Sequence, residues 1–410
     1  MTAAWQQMFV EIGVRNVGHW LERSGESVNG NVEALAQHGE HLRTAVEFGF
    51  DYPPAHEDGA RLALQLFTLV ELRGWQREWI GLFDRALQRT ADPALQFRLL
   101  IRLGQLHRTQ REMARAQMCL ELAQASAELQ NDPHFVAVAL FNLATFHFHN
   151  NEYNSAETLG QEALCCFDAL DAEPRWHAAT LHTLGHICSA RGEYDRSLTY
   201  LRRSVAYWRQ TVRTNDLART LNTLANSLLT LQQYEDALLC YDEALAHVQA
   251  TGNTLDRLYV QNSRATLFYN TGDLQAATDV FLEVQIVAAR QPGFEAQEAL
   301  ALTNLGNVLL AQGRLDTALE KCEISVRLSR NLNDTFPLAH ALSIRGEVYL
   351  EQGRYRLAWL DLNESAELMA TLNDNAKAQA WRLDFIALRD QAASKMAEAG
   401  SALPTSRSGL

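Results

Sequence analysis

From about residue 95 to residue 370, apolar residues recur three and four positions apart, the spacing that turns one side of an α-helix toward a core. The pattern returns as a block. Leu-Gly and Leu-Ala pairs and their variants mark its register, with anchor residues Gly104, Ala144, Gly185, Ala225, Ala265, Gly306 and Gly346 lying 40 or 41 residues apart. A period of this size overrides any domain count drawn from length, because each block buries its apolar face only by stacking on its neighbours.

Within a block, Leu100, Leu140, Leu181, Leu221, Gln261, Leu302 and Leu342 stand four residues before the anchors. Three residues after the anchors come His107, His147, Cys188, Leu228, Phe268, Leu309 and Tyr349, so each anchor sits in a helix. A turn follows at Gly192, Gly272, Gly313 and Gly353, with Asn151-Glu-Tyr153 and Gln232-Gln-Tyr234 as variants. Glycine there can end a helix in the left-handed conformation. Twelve residues past every anchor the side chain is small: Ala116, Ala156, Ser197, Ala237, Ala277, Ala318 and Ala358. A second small position follows seven residues later, with Val284 as the exception. Small residues at these points let a second helix lie close against the first, and each block reads as a helical hairpin.

These motifs resemble the tetratricopeptide repeat (TPR), with its Leu-x-x-Leu-Gly-type first helix, Gly-x-Tyr turn and Ala-centred second helix. The resemblance implies an all-α protein, a right-handed TPR α-solenoid of stacked hairpins. The period of about 40 is similar to that of the TPR sensor arms of bacterial STAND-type signalling ATPases and transcription regulators, as are the links Leu332-Asn-Asp334 and Leu372-Asn-Asp374. An Asp ahead of a helix is expected to cap its free N–H groups, and Asp132-Pro133 adds proline in the first turn. The expected organisation is an N-terminal helical cap over 1–58 and a degenerate unit over 59–94 with Phe67, Gly74 and Ala86 in register. Seven repeats over 95–375 follow, then a capping helix over 376–397 carrying Trp381, Phe385 and Leu388, and a small, polar, disordered tail over 398–410.

Composition narrows the function. The 410 residues are 47% hydrophobic, enough for a large core, and 36 Lys plus Arg against 49 Asp plus Glu leave a formal charge of −13. That balance argues against a nucleic-acid partner. The cations are almost all arginines, the lysines being Lys321, Lys377 and Lys395. Cys119, Cys165, Cys166, Cys188, Cys240 and Cys322 form no C-x-x-C pair, which suits a reducing compartment. The opening residues lack a basic segment followed by an apolar one, and no apolar run approaches the ~18 residues of a membrane span. The expectation is a cytoplasmic chain with no membrane association.

Chemistry is sparse. No lysine precedes Lys321, so the Gly-rich phosphate loop of a STAND ATPase core is missing. His182-Thr-Leu-Gly-His186 puts two imidazoles one helical turn apart, a spacing able to hold zinc, with His147 and His149 in the block before. The simpler reading is histidines on a groove wall and no metal. Cys165-Cys166 point apart on a helix, and no nucleophile elbow occurs. The chain is expected to be no enzyme and to use no cofactor.

The inner face remains. In a TPR stack it is built from first-helix offsets −6, −3, +1 and +4 from the anchor. They yield an apolar wall at Phe141 and Phe148, then His182 and His186, then a polar wall at Arg219, Asn222, Asn226, Tyr259, Asn262, Tyr269 and Asn307. Thr303, His340, Ser343 and Glu347 continue it. An asparagine amide offers donor and acceptor together and can grip a peptide backbone in both directions. By family resemblance, Asn at offset +1 has that role, matched by Asn226 and Asn307, and Arg219 could pair a carboxylate. A protein or peptide partner is expected, with the chain acting as a scaffold or regulatory subunit. The alternatives are a ligand- or signal-peptide-sensing arm that changes curvature, and an inhibitory adaptor holding a protease or nuclease. Nothing in the sequence specifies an oligomeric state.

Overall fold

A computed structural model describes residues 5, 7–15, 39–73, 75–211, 214–291, 293–372 and 375–399. The described residues are helical, with no strand among them. After α1 (residues 7–15) come α2 (Gly39–Asp51), a single 3-10 turn (Pro53–Ala55), α3 (His56–Arg73) and α4 (Gln76–Arg89). Hairpins follow in order: α5 (Pro93–Thr109) with α6 (Met113–Leu129), α7 (Pro133–His149) with α8 (Tyr153–Ala169), and α9 (Pro174–Ala190) and α10 (Tyr194–Trp208). Next are α11 (Thr214–Thr230) with α12 (Tyr234–Thr251), α13 (Thr254–Asn270) with α14 (Leu274–Ala289), and α15 (Glu295–Ala311) with α16 (Leu315–Leu332). The series closes with α17 (Thr335–Glu351), α18 (Tyr355–Ala370) and the longer α19 (Ala376–Glu398). Gly74, Asn373, Asp374 and the tail from residue 400 lie outside the described residues, as do residues 1–4, 6 and 16–38 of the expected N-terminal cap.

The register read from the sequence is the packing register. All seven small residues at offset +12, Ala116 through Ala358, are fully buried. The anchors touch the second helix at offset +16. A methyl group added to Gly306 would sit 2.5 Å from Cys322 Sγ, and one on Gly346 would sit 2.8 Å from Leu362 Cγ. Space for one carbon is missing, so the anchor glycines are set by the approach of the two helices rather than by backbone conformation.

Each hairpin turn is closed by the same backbone bond, from the residue at offset +8 to the carbonyl at offset +3. It measures 2.9 Å from Glu112 N to His107 O, 2.9 Å from Asp273 N to Phe268 O and 2.8 Å from Arg354 N to Tyr349 O. Such a bond satisfies a carbonyl that the helix end would leave free. At the other link, Asp92 and Asp132 accept from the first N–H groups of α5 and α7 behind Pro93 and Pro133. Asp334 stands at the start of α17 but makes no such side-chain bond, contrary to the expectation for that link.

The chain forms two compact units. Unit 1 comprises residues 1–184 and 206–213, and unit 2 comprises residues 185–205 and 214–410. One core of unit 1 gathers Phe50, Phe67, Trp79, Phe83 and Leu99. A second gathers Phe97, Leu140, Phe146 and Phe167, with Phe97 stacked on Phe135 at 4.3 Å and Phe167 on Trp176 at 5.5 Å. In unit 2 successive first helices lie side by side, α11 with α13, α13 with α15 and α15 with α17. Phe281, Leu305, Val308 and Leu309 pack between them and their second helices. Met369 and Phe385, with Trp381 against them, join α19 to the last hairpin.

Candidate functional site

Along each first helix the offsets −6, −3, +1 and +4 fall on one stripe, but they do not rise equally from the core. The −3 row sinks: Ile101, Asn262, Thr303 and Ser343 are buried. Thr303 and Ser343 therefore do not belong to the wall as expected; Thr303 Oγ1 meets Ser325 Oγ at 2.6 Å and Ser343 Oγ donates to the His340 carbonyl. Side chains at −6, +1 and +4 stand higher, with Arg219, Asn226, Tyr259 and His186 exposed.

In unit 2 the sequence-assigned polar residues are tied to partners elsewhere in the chain, most of them in the next hairpin. Arg219 Nε donates to both carboxylate oxygens of Asp256 at 2.8 and 3.0 Å, and its Nη1 lies 3.9 Å from Asp216. Asp256 is buried at offset −9 of the next block and also accepts from Asn253 Nδ2 at 2.8 Å. Burial raises its pKa, against the opposing pull of the Arg219 guanidinium. Arg219 thus already holds a carboxylate from its own chain. The same −6 to −9 link recurs one hairpin on, where Gln297 Nε2 donates to Tyr259 Oη at 2.8 Å.

The asparagines are likewise engaged, and on one atom only. Tyr241 Oη donates to Asn226 Oδ1 at 2.7 Å, Asn304 Nδ2 donates to Asn262 Oδ1 at 3.2 Å, and Tyr269 Oη donates to Asn307 Oδ1 at 3.5 Å. Each of these amides carries one hydrogen bond at its oxygen; Asn226 is exposed and Asn307 half-buried, while Asn262 is buried with the rest of the −3 row. Asn222 has no such donor; its Oδ1 is buried without a partner among the described residues.

Displaced pKa values cluster on this face. His186 is exposed, and desolvation by the surrounding protein lowers its pKa to about 4. Burial raises the phenols of Tyr259 and Tyr269. Glu347, at offset +1 of the last block, is pushed up to about 7 by burial first and then by the carboxylates of Asp384 and Glu351. A cavity of about 330 Å³ borders it, lined by Leu310, Leu315, Leu350 and Leu388.

The assigned residues of unit 1 are of another kind. Phe141 is half-buried, with its ring edge-on to Trp176 at 6.2 Å. Phe148 is half-buried against Tyr153 and His149, and His182 is half-buried. Phe141 borders a cavity of about 130 Å³ shared with Gln105, Arg108, Asn142 and Thr145. Both ends of the Asn142 amide are spent, its oxygen on Gln105 Nε2 at 2.8 Å and its nitrogen on the Val138 carbonyl at 2.8 Å.

The sequence reading missed the residues that hold the face in place: Asn142 and Asn304 at offset −2, Asp256 and Gln297 at −9, and Tyr241 at +16. Only Tyr241 stood out, as the one hydroxyl-bearing residue at an offset where the other blocks carry Leu120, Gly160, Leu201, Phe281, Cys322 and Leu362; offsets −2 and −9 are mixed from block to block and gave no signal. No group of three or more His, Cys, Asp or Glu side chains able to hold a metal ion occurs among the described residues. Cys166, raised by burial and then by Cys165 and Glu162, lacks the lowered pKa of a reactive thiol. No helix among the described residues is long and apolar enough to cross a membrane.

Comparison with known proteins agrees with the repeat. Tetratricopeptide repeat models match residues 135–210, 176–250 and 297–384, and a second such model matches 222–293, together more than half of the chain. Among curated proteins no match was found. Of the similar solved structures, a Rap protein complexed with competence and sporulation factor has a TM-score of 0.55 at 13% identity, covering 82% of this chain and 99% of that one. NprR in complex with its cognate peptide NprX has a TM-score of 0.55 at 11% identity, covering 72% and 84%. A STAND protein with a tetratricopeptide repeat sensor from Pyrococcus horikoshii has a TM-score of 0.54 at 13% identity, covering 86% of this chain and 54% of that one. At these identities the likeness establishes the fold.

Proposed function

The chain belongs to the tetratricopeptide repeat family, and from that premise we propose that it is a non-enzymatic binding protein that holds an extended peptide segment of a partner along the first-helix face of unit 2. One observation carries this reading: the successive first helices α9, α11, α13, α15 and α17 carry both the amides Asn226, Asn262 and Asn307 and the displaced groups His186, Asp256, Tyr259, Tyr269 and Glu347. Perturbed titrations concentrate at functional sites, although structural ion pairs such as Arg219–Asp256 perturb them too. In unit 1 the shifted groups, Glu112, Cys119 and Cys166, lie in a turn and on second helices, as Tyr241 and Cys322 do in unit 2, and none of the three is on a first helix. Two of the similar structures contain bound signalling factors or peptides, which is consistent with this use of the fold.

A second reading, a ligand-sensing arm for a signalling partner, draws support from the similarity to the tetratricopeptide repeat sensor of the STAND protein. The two readings share the face and differ in what binding does. The reading is tested by panning a randomised heptapeptide library against the full chain and against an Asn226→Asp/Asn307→Asp variant. The wild type is expected to enrich a peptide that the variant does not, with equal helical circular dichroism. Absence of any enriched peptide, or equal enrichment by the variant, would contradict it.

A further inference from the structure

Tyr241 lies behind the face, not on it. It is fully buried at offset +16 of its block, where the neighbouring blocks carry Leu201, Phe281, Cys322 and Leu362. Its hydroxyl makes one hydrogen bond, to Asn226 Oδ1 at 2.7 Å. Burial raises the phenol well above its ordinary range, so it stays protonated and must donate. A buried O–H left without an acceptor is costly. That requirement fixes which end of the amide faces inward, and the Asn226 oxygen is held against the core while its NH₂ group points outward. Asn226 itself is exposed.

We infer that Tyr241 is a positioning residue that turns the Asn226 amide so that its NH₂ group is the end offered outward, and that Asn226 and Asn307 recognise carbonyl oxygens of the bound peptide. This rests on the reading of the face as a peptide site and adds its polarity. Asn304 donates to Asn262 Oδ1 at 3.2 Å and Tyr269 to Asn307 Oδ1 at 3.5 Å, longer contacts from half-buried donors that engage the same end of each amide. None of the three amide nitrogens has a hydrogen-bond partner among the described residues. Asn226 and Asn307 belong to α11 and α15, the first helices on either side of α13, so the donors cross successive hairpins as an extended segment would. An occupant matched to them offers acceptors along one edge, which a peptide backbone does whatever its side chains. Arg219, its guanidinium already on Asp256, contributes positive potential to the same face without being required to pair the ligand.

The test uses the full chain and the heptapeptide enriched by the wild type, with affinity read by fluorescence anisotropy. Asn226→Asp keeps the shape and still accepts from Tyr241, but replaces the outward NH₂ by oxygen; binding is expected to weaken about tenfold or more, the scale of a hydrogen bond exchanged for an unpaired acceptor. Tyr241→Phe releases the amide, and a weakening of roughly threefold is expected in the wild-type background but none in the Asn226→Asp background. A merely structural role for Tyr241 would give the same loss in both. Affinity unchanged or improved in Asn226→Asp overturns the donor polarity while leaving the peptide site standing. Failure to enrich any peptide removes the site and the polarity together.

Discussion

The two units build the same hairpin with different side chains. In unit 1 the left-handed turn position is taken by Arg111 and Asn151, with φ of 60° and 61°. In unit 2 it is taken by Gly192, Gly272, Gly313 and Gly353, with Gln232 the exception at φ 59°. The residues that close the turn also differ. In unit 1, His107 Nδ1 meets Glu112 Oε2 at 2.7 Å and His147 Nδ1 meets Glu152 Oε2 at 2.5 Å. At the same offsets in the last hairpin of unit 2, the Arg354 guanidinium lies 4.6 Å over the Tyr349 ring. The backbone bond beneath all of them is constant. The geometry of the turn is therefore set by the helix end, and the side chains are free to serve another purpose: an ionisable latch in unit 1, and glycine turns beside an amide-lined face in unit 2.

The shared part of the comparison should show the largest effect. Ala116→Leu in unit 1 and Ala237→Leu in unit 2 each force a larger side chain into a filled helix contact, at an expected cost of about 1–3 kcal/mol in denaturant unfolding. An unchanged midpoint for either would mean that its unit does not follow the common packing.

The units should then respond to pH with opposite sign. The raised pKa of Glu347, from 4.5 to about 7, means that its contribution to stability is present below pH 4.5 and is lost as pH rises through 7. With its partial exposure discounted, Glu347→Gln should stabilise unit 2 at pH 8 by on the order of 1–2 kcal/mol and change little at pH 4. Glu112 is lowered, chiefly by its hydrogen bond to His107, so its contribution is present above 4.5 and is lost as pH falls through the lowered value. Glu112→Gln should weaken protection of α5 and α6 at pH 7 and converge with the wild type in acid. Hydrogen exchange resolved by helix separates the two; slopes of the same sign would break the contrast.

The turn residues should show the smaller difference. Gly313→Ala places a Cβ at φ 72° and is expected to cost about 1 kcal/mol, whereas Arg111→Gly, where a side chain is already accommodated, should change unfolding by less. Equal effects would mean that the turns are not built differently after all.

What the sequence made legible was whatever repeats. The anchors, the small residues at offset +12 and the turn glycines recur because every hairpin must solve the same packing problem, and the seven buried positions from Ala116 to Ala358 follow from that. The face was legible only as a set of positions. Which atoms it presents depends on partners one hairpin away, such as Asp256 for Arg219 and Asn304 for Asn262, or on the second helix, as with Tyr241 for Asn226. These partners occur once each, so no period announces them. Thr303 and Ser343 share the offset of Asn222 yet lie buried, because how far a side chain rises from the stripe depends on the helix beside it.

The most direct measurement on the central claim is photo-crosslinking of the enriched heptapeptide, with a benzophenone at its middle residue, to the full chain, followed by mapping of the attached residues. Attachment within α11, α13 and α15, lost when Asn226→Asp and Asn307→Asp are combined, is the expected result. Attachment confined to second helices or to unit 1 would contradict the assignment of the site.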